Sequence, residues 1–174
     1  DRKVLGSSMP TWYGGWNNTV SYKNFDLNVF FRFSGGNKIM NASRQSALFN
    51  MDFSNNGTEI LGRWISPEQP GDGMTPKIGY GDASSLFNDG YTDSHFVESG
   101  NYLKLSTLAL GYTLPKAVVS KLNMTKIRFY VQGQNLLTIT GYSGLDPETN
   151  SRLGVDWNGM PQQRSFTFGA NITF

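Results

Sequence analysis

Residues 165–174 read Ser165-Phe166-Thr167-Phe168-Gly169-Ala170-Asn171-Ile172-Thr173-Phe174. Phe166, Phe168, Ala170, Ile172 and Phe174 fall on one face of an extended chain, and Ser165, Thr167, Gly169, Asn171 and Thr173 on the other. Strict period-two alternation over this length is the pattern of a β-strand whose two faces meet unlike surroundings. After Arg164 the polar face carries no charge.

The same alternation recurs upstream. Phe25, Leu27, Val29, Phe31 and Phe33 share a parity, as do Ile127, Phe129, Val131, Leu137 and Ile139. Trp12, Trp16, Val20 and Tyr22 oppose Tyr13, Asn17, Thr19 and Ser21. Between Leu103 and Leu114 the phase slips, and one extra residue near Ser106-Thr107, a β-bulge, explains the slip because it flips the faces. The pattern predicts five strands at about 11–22, 25–35, 100–114, 125–140 and 163–174. They are longer than the usual five or six residues and suit tilted strands crossing a bilayer, which need about 9–11.

The connections alternate between short and long. Lys23-Asn24 is a tight turn and Pro115–Met124 a short link with a helical pattern at Lys116–Leu122. The stretches 36–99 and 141–162 are long loops, the first with helix-like patterns at Lys38–Asn50 and Thr58–Ile65. In an up-and-down sheet both long loops then leave one side, as in outer-membrane barrels with short periplasmic turns and long extracellular loops. Trp12, Tyr13, Trp16, Tyr22, Phe25, Tyr112 and Phe174 lie near strand ends, as interfacial aromatic girdles do. A lipid-facing Arg costs about 2–4 kcal/mol at the midplane, and this phasing puts Arg32, Lys126 and Arg128 on the polar, lumen-facing side. The fold expected is all-β: a transmembrane antiparallel β-barrel segment.

Composition agrees. Charged residues are 16% against a usual value of about 25%, aromatics are 14%, and mean hydropathy is −0.38. That mixture fits one apolar wall and one uncharged polar wall. A net charge of +2 without a basic cluster gives no nucleic-acid footprint. Without Cys there is no disulfide framework or thiolate metal site. No apolar run approaches the roughly 18 residues of a spanning helix, and the chain opens without the apolar core of a signal peptide. Five strands cannot close on themselves, since small barrels need about eight, so a fragment of a larger barrel is expected.

Several blocks together resemble the late barrel of the SusC/RagA family of TonB-dependent outer-membrane transporters. They are Tyr13-Gly14 with Asn17–Leu27, Arg63-Trp64 with Pro67-Glu68-Gln69-Pro70, Asn101–Pro115, Arg128–Leu136 and Pro161–Gly169. The ordered set spans essentially the whole chain. The resemblance implies a barrel of about 22 strands closed around a plug, of which these are the last five. It implies import of oligosaccharides, glycans or peptides across the outer membrane of Bacteroidetes, driven by TonB through a region outside this chain, under a SusD-like surface lipoprotein. It also implies an assembly signal read by the barrel insertion machinery, carried here by Phe166, Phe168, Ile172 and Phe174.

Candidate ligand- and lid-facing residues in the loops are Trp157, Trp64, Arg63, Tyr80, Tyr91 and Tyr142, because flat aromatic faces stack on sugar rings while a few polar groups fix orientation. Phe87, Phe96, Asp146, Glu148 and Asp156 accompany them. Such aromatics can equally form the small core that a long loop needs. Asn28, Arg32, Arg128, Tyr130, Gln132 and Gln134 are the lumen-facing set, suited to touching the plug. His95 is the only His and makes no zinc site without further ligands. No nucleophile elbow or phosphate loop is present, so no catalytic residue, metal or cofactor is expected. Competing readings are a soluble carbohydrate-binding β-sandwich, which would show shorter, regularly spaced strands, and an outer-membrane barrel with a non-transport role.

Overall fold

The computed structural model describes residues 3–48, 55–77, 94–148 and 153–174. The chain forms two compact units: a strand unit of Pro10–Gly36, Asn101–Gly141 and Gln162–Phe174, and a loop unit of Asp1–Met9, Asn37–Gly100 and Tyr142–Pro161.

The strand unit is one antiparallel sheet. Its strands are β1 (Trp12–Tyr22), β2 (Phe25–Gly35), β5 (Tyr102–Thr113), β6 (Lys126–Thr140) and β8 (Ser165–Thr173), in that spatial order. All five coincide with alternating stretches of the sequence. Register lines up the faces across the whole sheet. Val20, Leu27, Leu110, Val131 and Phe168 make one apolar row, and Thr19, Asn28, Ala109, Gln132 and Thr167 make the polar row beside it. Many of the apolar side chains are exposed, Phe168 by 78%, Leu137 by 48% and Leu110 by 43%. That inversion suits a sheet solvated by hydrocarbon on one side.

The phase slip in β5 has its cause at Ser106. Phe30 pairs with Thr107 and Phe31 with Leu105, leaving Ser106 as the extra residue against β2. Beyond the bulge the parity of β5 is reversed, so Leu103 and Leu105 rejoin the apolar face. Strand β6 meets the same step differently. Thr107 pairs with Gln134 and Leu105 with Leu137, so Asn135 and Leu136 are both inserted and its parity is preserved. Asn135 takes a left-handed backbone, φ 53°, and its amide donates to the Gln163 carbonyl (3.0 Å) at the foot of β8. Arg32 Nε donates to the Ser106 hydroxyl at 2.8 Å, holding the β5 bulge from the neighbouring strand.

The link between β5 and β6 is one α-helical turn, Lys116–Val119, continued as a 3-10 turn, Ser120–Leu122. Asn123 ends it in the left-handed region, φ 54°.

The loop unit contains a small sheet that the alternation does not reveal. Strand β3 (Lys38–Asn41) lies antiparallel to β4 (Val97–Ser99) and parallel to β7 (Val155–Asp156). The helical pattern expected over Lys38–Asn50 is therefore corrected: its first four residues are strand, and a wide helical turn follows at Arg44–Leu48. Segments of two to four residues are too short to display a period. The helix expected at Thr58–Ile65 is a 3-10 turn over Thr58–Gly62, after which Arg63 is extended. Fully buried Phe96, with Met40 and Ile60 packed against it, centres the core of this unit.

Candidate functional site in the loop unit

Strands β3 and β7 bring together two loops distant in sequence, through Met40 opposite Val155 and Asn41 opposite Asp156. Polar side chains then stitch the junction. Glu98 accepts from the Ser143 N–H (2.7 Å) with one carboxylate oxygen. With the other it accepts from the Ser143 hydroxyl (2.7 Å) and the Asn41 amide (3.3 Å). Asn41 also donates to the Ser143 hydroxyl (3.1 Å), and its carbonyl accepts the Arg44 N–H (2.9 Å), starting the helical turn.

Arg44 is the cationic centre. Its guanidinium forks onto Glu59 (2.7–3.1 Å), reaches Glu98 (3.4 Å) and the His95 carbonyl (3.3 Å), and lies 5.6 Å from the Phe96 ring centroid. The Glu59 hydrogen bonds hold its pKa above the ordinary arginine value, so it stays charged throughout. A paired fork of this kind is strong and directional.

Tyr142 is buried, and its hydroxyl donates to Asp156 at 2.5 Å. Burial, then that contact, pushes its pKa upward. Asp156, itself buried, also accepts the Gly159 N–H (3.2 Å), and its own carbonyl accepts the Ser43 hydroxyl (3.3 Å). Tyr142, expected to face a ligand or lid, is buried here with its hydroxyl on Asp156, a contact that holds the loop. Phe96 is likewise core.

These residues frame a pocket of about 240 Å³, lined by Asn41, Ser43, Arg44, Glu59, Ser143, Gly144, Leu145, Asp156, Asn158 and Gly159. Asn158 is in the left-handed region, φ 60°. Trp157, between two lining residues, is 70% exposed. The wall offers donors and acceptors of both kinds, fitted to a small polyhydroxylated or amide-bearing group, and its carboxylates are already hydrogen-bonded. Among the described residues no cluster of three or more His, Cys, Asp or Glu could hold a metal ion.

The other predicted residues separate. Trp64 is half-buried beside Lys77, whose ammonium is 5.8 Å from the ring centroid. Arg63 donates to the Ile60 carbonyl (3.3 Å). Tyr80, Tyr91 and Phe87 lie outside the described residues. Asn41, Arg44, Glu59 and Ser143 were not anticipated. They lie in three separate stretches, Asn41 at the end of a four-residue strand and Glu59 in a five-residue turn, too short for any period to mark them.

In the strand unit, the lumen set occupies one polar face by register. Arg128 forks onto Asp26 (2.9 and 2.5 Å) and lies 5.3 Å from the Tyr130 centroid. The fork crosses Gly111, where an added Cβ would sit 2.3 Å from the guanidinium. Asn28 donates to Asn17 and Thr19, each at 2.9 Å, and Gln134 accepts from Ser165 (3.3 Å).

No protein-family model matches the chain. Among curated proteins it is similar to TonB-dependent receptor P3 of Formosa agariphila, 33% identical over 184 residues, covering 100% of this chain and 17% of that protein. It is also similar to TonB-dependent receptor SusC of Bacteroides thetaiotaomicron, 26% identical over 176 residues, covering 92% of this chain and 15% of that one. Among solved structures it matches the RagAB peptide importer in its open-open state with a TM-score of 0.82 and 26% identity, covering 99% of this chain and 18% of that one. These relatives are named as receptors and an importer. Sheet, faces and likenesses agree: the chain resembles a part of TonB-dependent receptors, SusC and the RagAB importer among them, and spans 15–18% of the length of those relatives.

Proposed function

We propose that this chain supplies barrel wall and substrate-facing loops to a TonB-dependent importer of oligosaccharides, glycans or peptides, and that its role is transport rather than catalysis. The observation that best supports this is the inverted sheet, with apolar rows exposed and polar rows opposite, in a chain that aligns throughout with TonB-dependent receptors. The five long strands are the last of the barrel, and 36–99 and 141–162 are its extracellular loops. The polar face, with Asn28, Arg32, Arg128, Tyr130, Gln132 and Gln134, borders the plug. Trp157, Trp64 and Arg63 face the ligand or a SusD-like surface lipoprotein. TonB acts through a part of the protein beyond this chain. The row Phe166, Phe168, Ile172 and Phe174 addresses the assembly machinery, so Phe174→Asp lowers the surface level of the intact receptor; normal assembly of that variant rejects the signal.

The test of the whole reading is deletion of the intact receptor gene in its own bacterium. Loss of growth on a particular glycan or peptide source, restored by the gene, and co-purification with a SusD-like lipoprotein are expected. Growth unchanged on every such source overturns the reading.

A further inference from the structure

Residues 62–77 form a self-braced loop with a pocket of its own. The Asp72 N–H donates to the Gly62 carbonyl (2.8 Å) and the Trp64 N–H to the Thr75 carbonyl (2.9 Å), so two arms run side by side. Ser66 and Gln69 exchange backbone hydrogen bonds (3.2 and 2.9 Å), and the Ile65 N–H donates to the Gln69 carbonyl (3.0 Å). The Asp72 carboxylate accepts the Met74 N–H (2.8 Å), the Thr75 N–H (2.6 Å) and the Thr75 hydroxyl (2.7 Å). Gly71 has φ +70°, and an added Cβ there would sit 2.2 Å from the Gly62 carbonyl oxygen. The frame is therefore fixed before anything binds.

It holds open a pocket of about 360 Å³, lined by Trp64, Pro70, Met74, Thr75, Pro76 and Lys77, with Gly73. The walls combine one aromatic ring, two prolines and a methionine. Lys77 is the only charged side chain among these lining residues, its ammonium 5.8 Å from the Trp64 centroid.

Three features select the ligand. A planar indole takes the apolar C–H face of a pyranose. A single cation, lying over one face of that ring, favours an anionic substituent. The N–H groups of Trp64, Ile65, Ser66, Gln69, Met74 and Thr75 are already bonded within the loop, so these six are not free to pair with an extended peptide, whereas a sugar stacked on the ring needs none of them. We propose that the Trp64–Lys77 pocket is a subsite for a carboxylate-bearing pyranose, a uronic-acid unit of an oligosaccharide, with its ring on Trp64 and its carboxylate on the Lys77 ammonium. This deepens the import reading and rests on it for the arrival of a saccharide at this surface.

Calorimetry on the intact receptor in detergent tests it, with oligogalacturonate and oligoglucuronate, their methyl esters, and a short peptide as probes. At least one free acid binds about fivefold tighter than its ester, the upper order expected when one charge pair is lost at a part-solvated site. Lys77→Gln abolishes that ratio and Lys77→Arg keeps it, while Trp64→Ala weakens acid and ester alike. Acid and ester bound equally, no binding of either acid, preference for the peptide, or a ratio unchanged in Lys77→Gln each overturn the subsite. Uptake is scored separately. Charge-selective binding without TonB-dependent uptake keeps the subsite and removes the import reading; uptake without charge selectivity does the reverse.

Discussion

In the strand unit, Val20, Leu110 and Phe168 are exposed along continuous apolar rows, while Asp26 and Arg128 pair on the opposite face. In the loop unit, Ile39 and Phe96 are wholly buried, and the charged residues Arg44, Glu59 and Glu98 tie segments together around them. One unit is ordered by repeated backbone ladders and needs an apolar solvent. The other is ordered by a handful of specific polar contacts and is built for water. A substitution should therefore act on one unit through the hydrocarbon and on the other through individual hydrogen bonds.

The largest expected effect tests the first half of that contrast. Leu108→Arg places a charge on the apolar face midway along β5, opposite Val29, and should destabilise the intact receptor in bilayers by about 2–4 kcal/mol. Gln132→Arg, on the adjacent polar row, should cost less than about 1 kcal/mol, as substitutions away from buried features usually do. Urea unfolding in vesicles measures both, and equal costs would break the assignment of faces.

Glu98→Ala tests the second half. It removes both Ser143 contacts and weakens the hold on Asn41 and Arg44. A loss of about 2 kcal/mol follows for charged hydrogen bonds of this kind. Hydrogen exchange should quicken at Ser143 and Gly144 while the β5–β6 ladder stays protected. Uniform loss of protection in both units would show that they are one cooperative body.

Tyr142 sharpens the comparison through pH. Burial raises its folded pKa above the ordinary value of about 10. Above pH ~10 the unfolded chain loses this proton before the folded one does, so this part of the stability is complete below that pH and declines as pH rises towards the folded pKa. Tyr142→Phe should cost about 1 kcal/mol at neutral pH for one lost hydrogen bond and flatten the alkaline decline of the loop unit. An alkaline slope identical in the variant would mean that Tyr142 is not the group responsible.

The same contrast explains what could be read from the sequence. The five long strands were legible because period-two alternation repeats over nine to fifteen residues in each, and even the Ser106 bulge left its mark as a phase slip. The insertion at Asn135-Leu136 left none, because two extra residues restore the parity. The loop sheet was illegible: β7 is two residues long, and its pairing with β3 joins positions more than a hundred residues apart. Tyr142 and Trp157 look alike as loop aromatics, yet one is buried and the other exposed. Only the partner Asp156 and the chain folded over Tyr142 distinguish them, and neither is a local property.

The smallest expected effect lies within the loop unit, at Asp72. Its carboxylate is held below the ordinary aspartate range by the Thr75 N–H first, then the Thr75 hydroxyl and the Met74 N–H. The support it gives the loop is present above about pH 4, the ordinary aspartate value, and is lost as pH falls through the lowered folded pKa. Between pH 7 and 5 the environment of Trp64 should not change. Below pH 4 the fluorescence difference between the wild-type receptor and Trp64→Phe should shift, as the bonds from Asp72 to Met74 and Thr75 are given up. Asp72→Asn keeps an acceptor without a titrating group and should remove the shift while preserving the loop at neutral pH. An acid shift that persists in Asp72→Asn would place the sensitive group elsewhere in the unit.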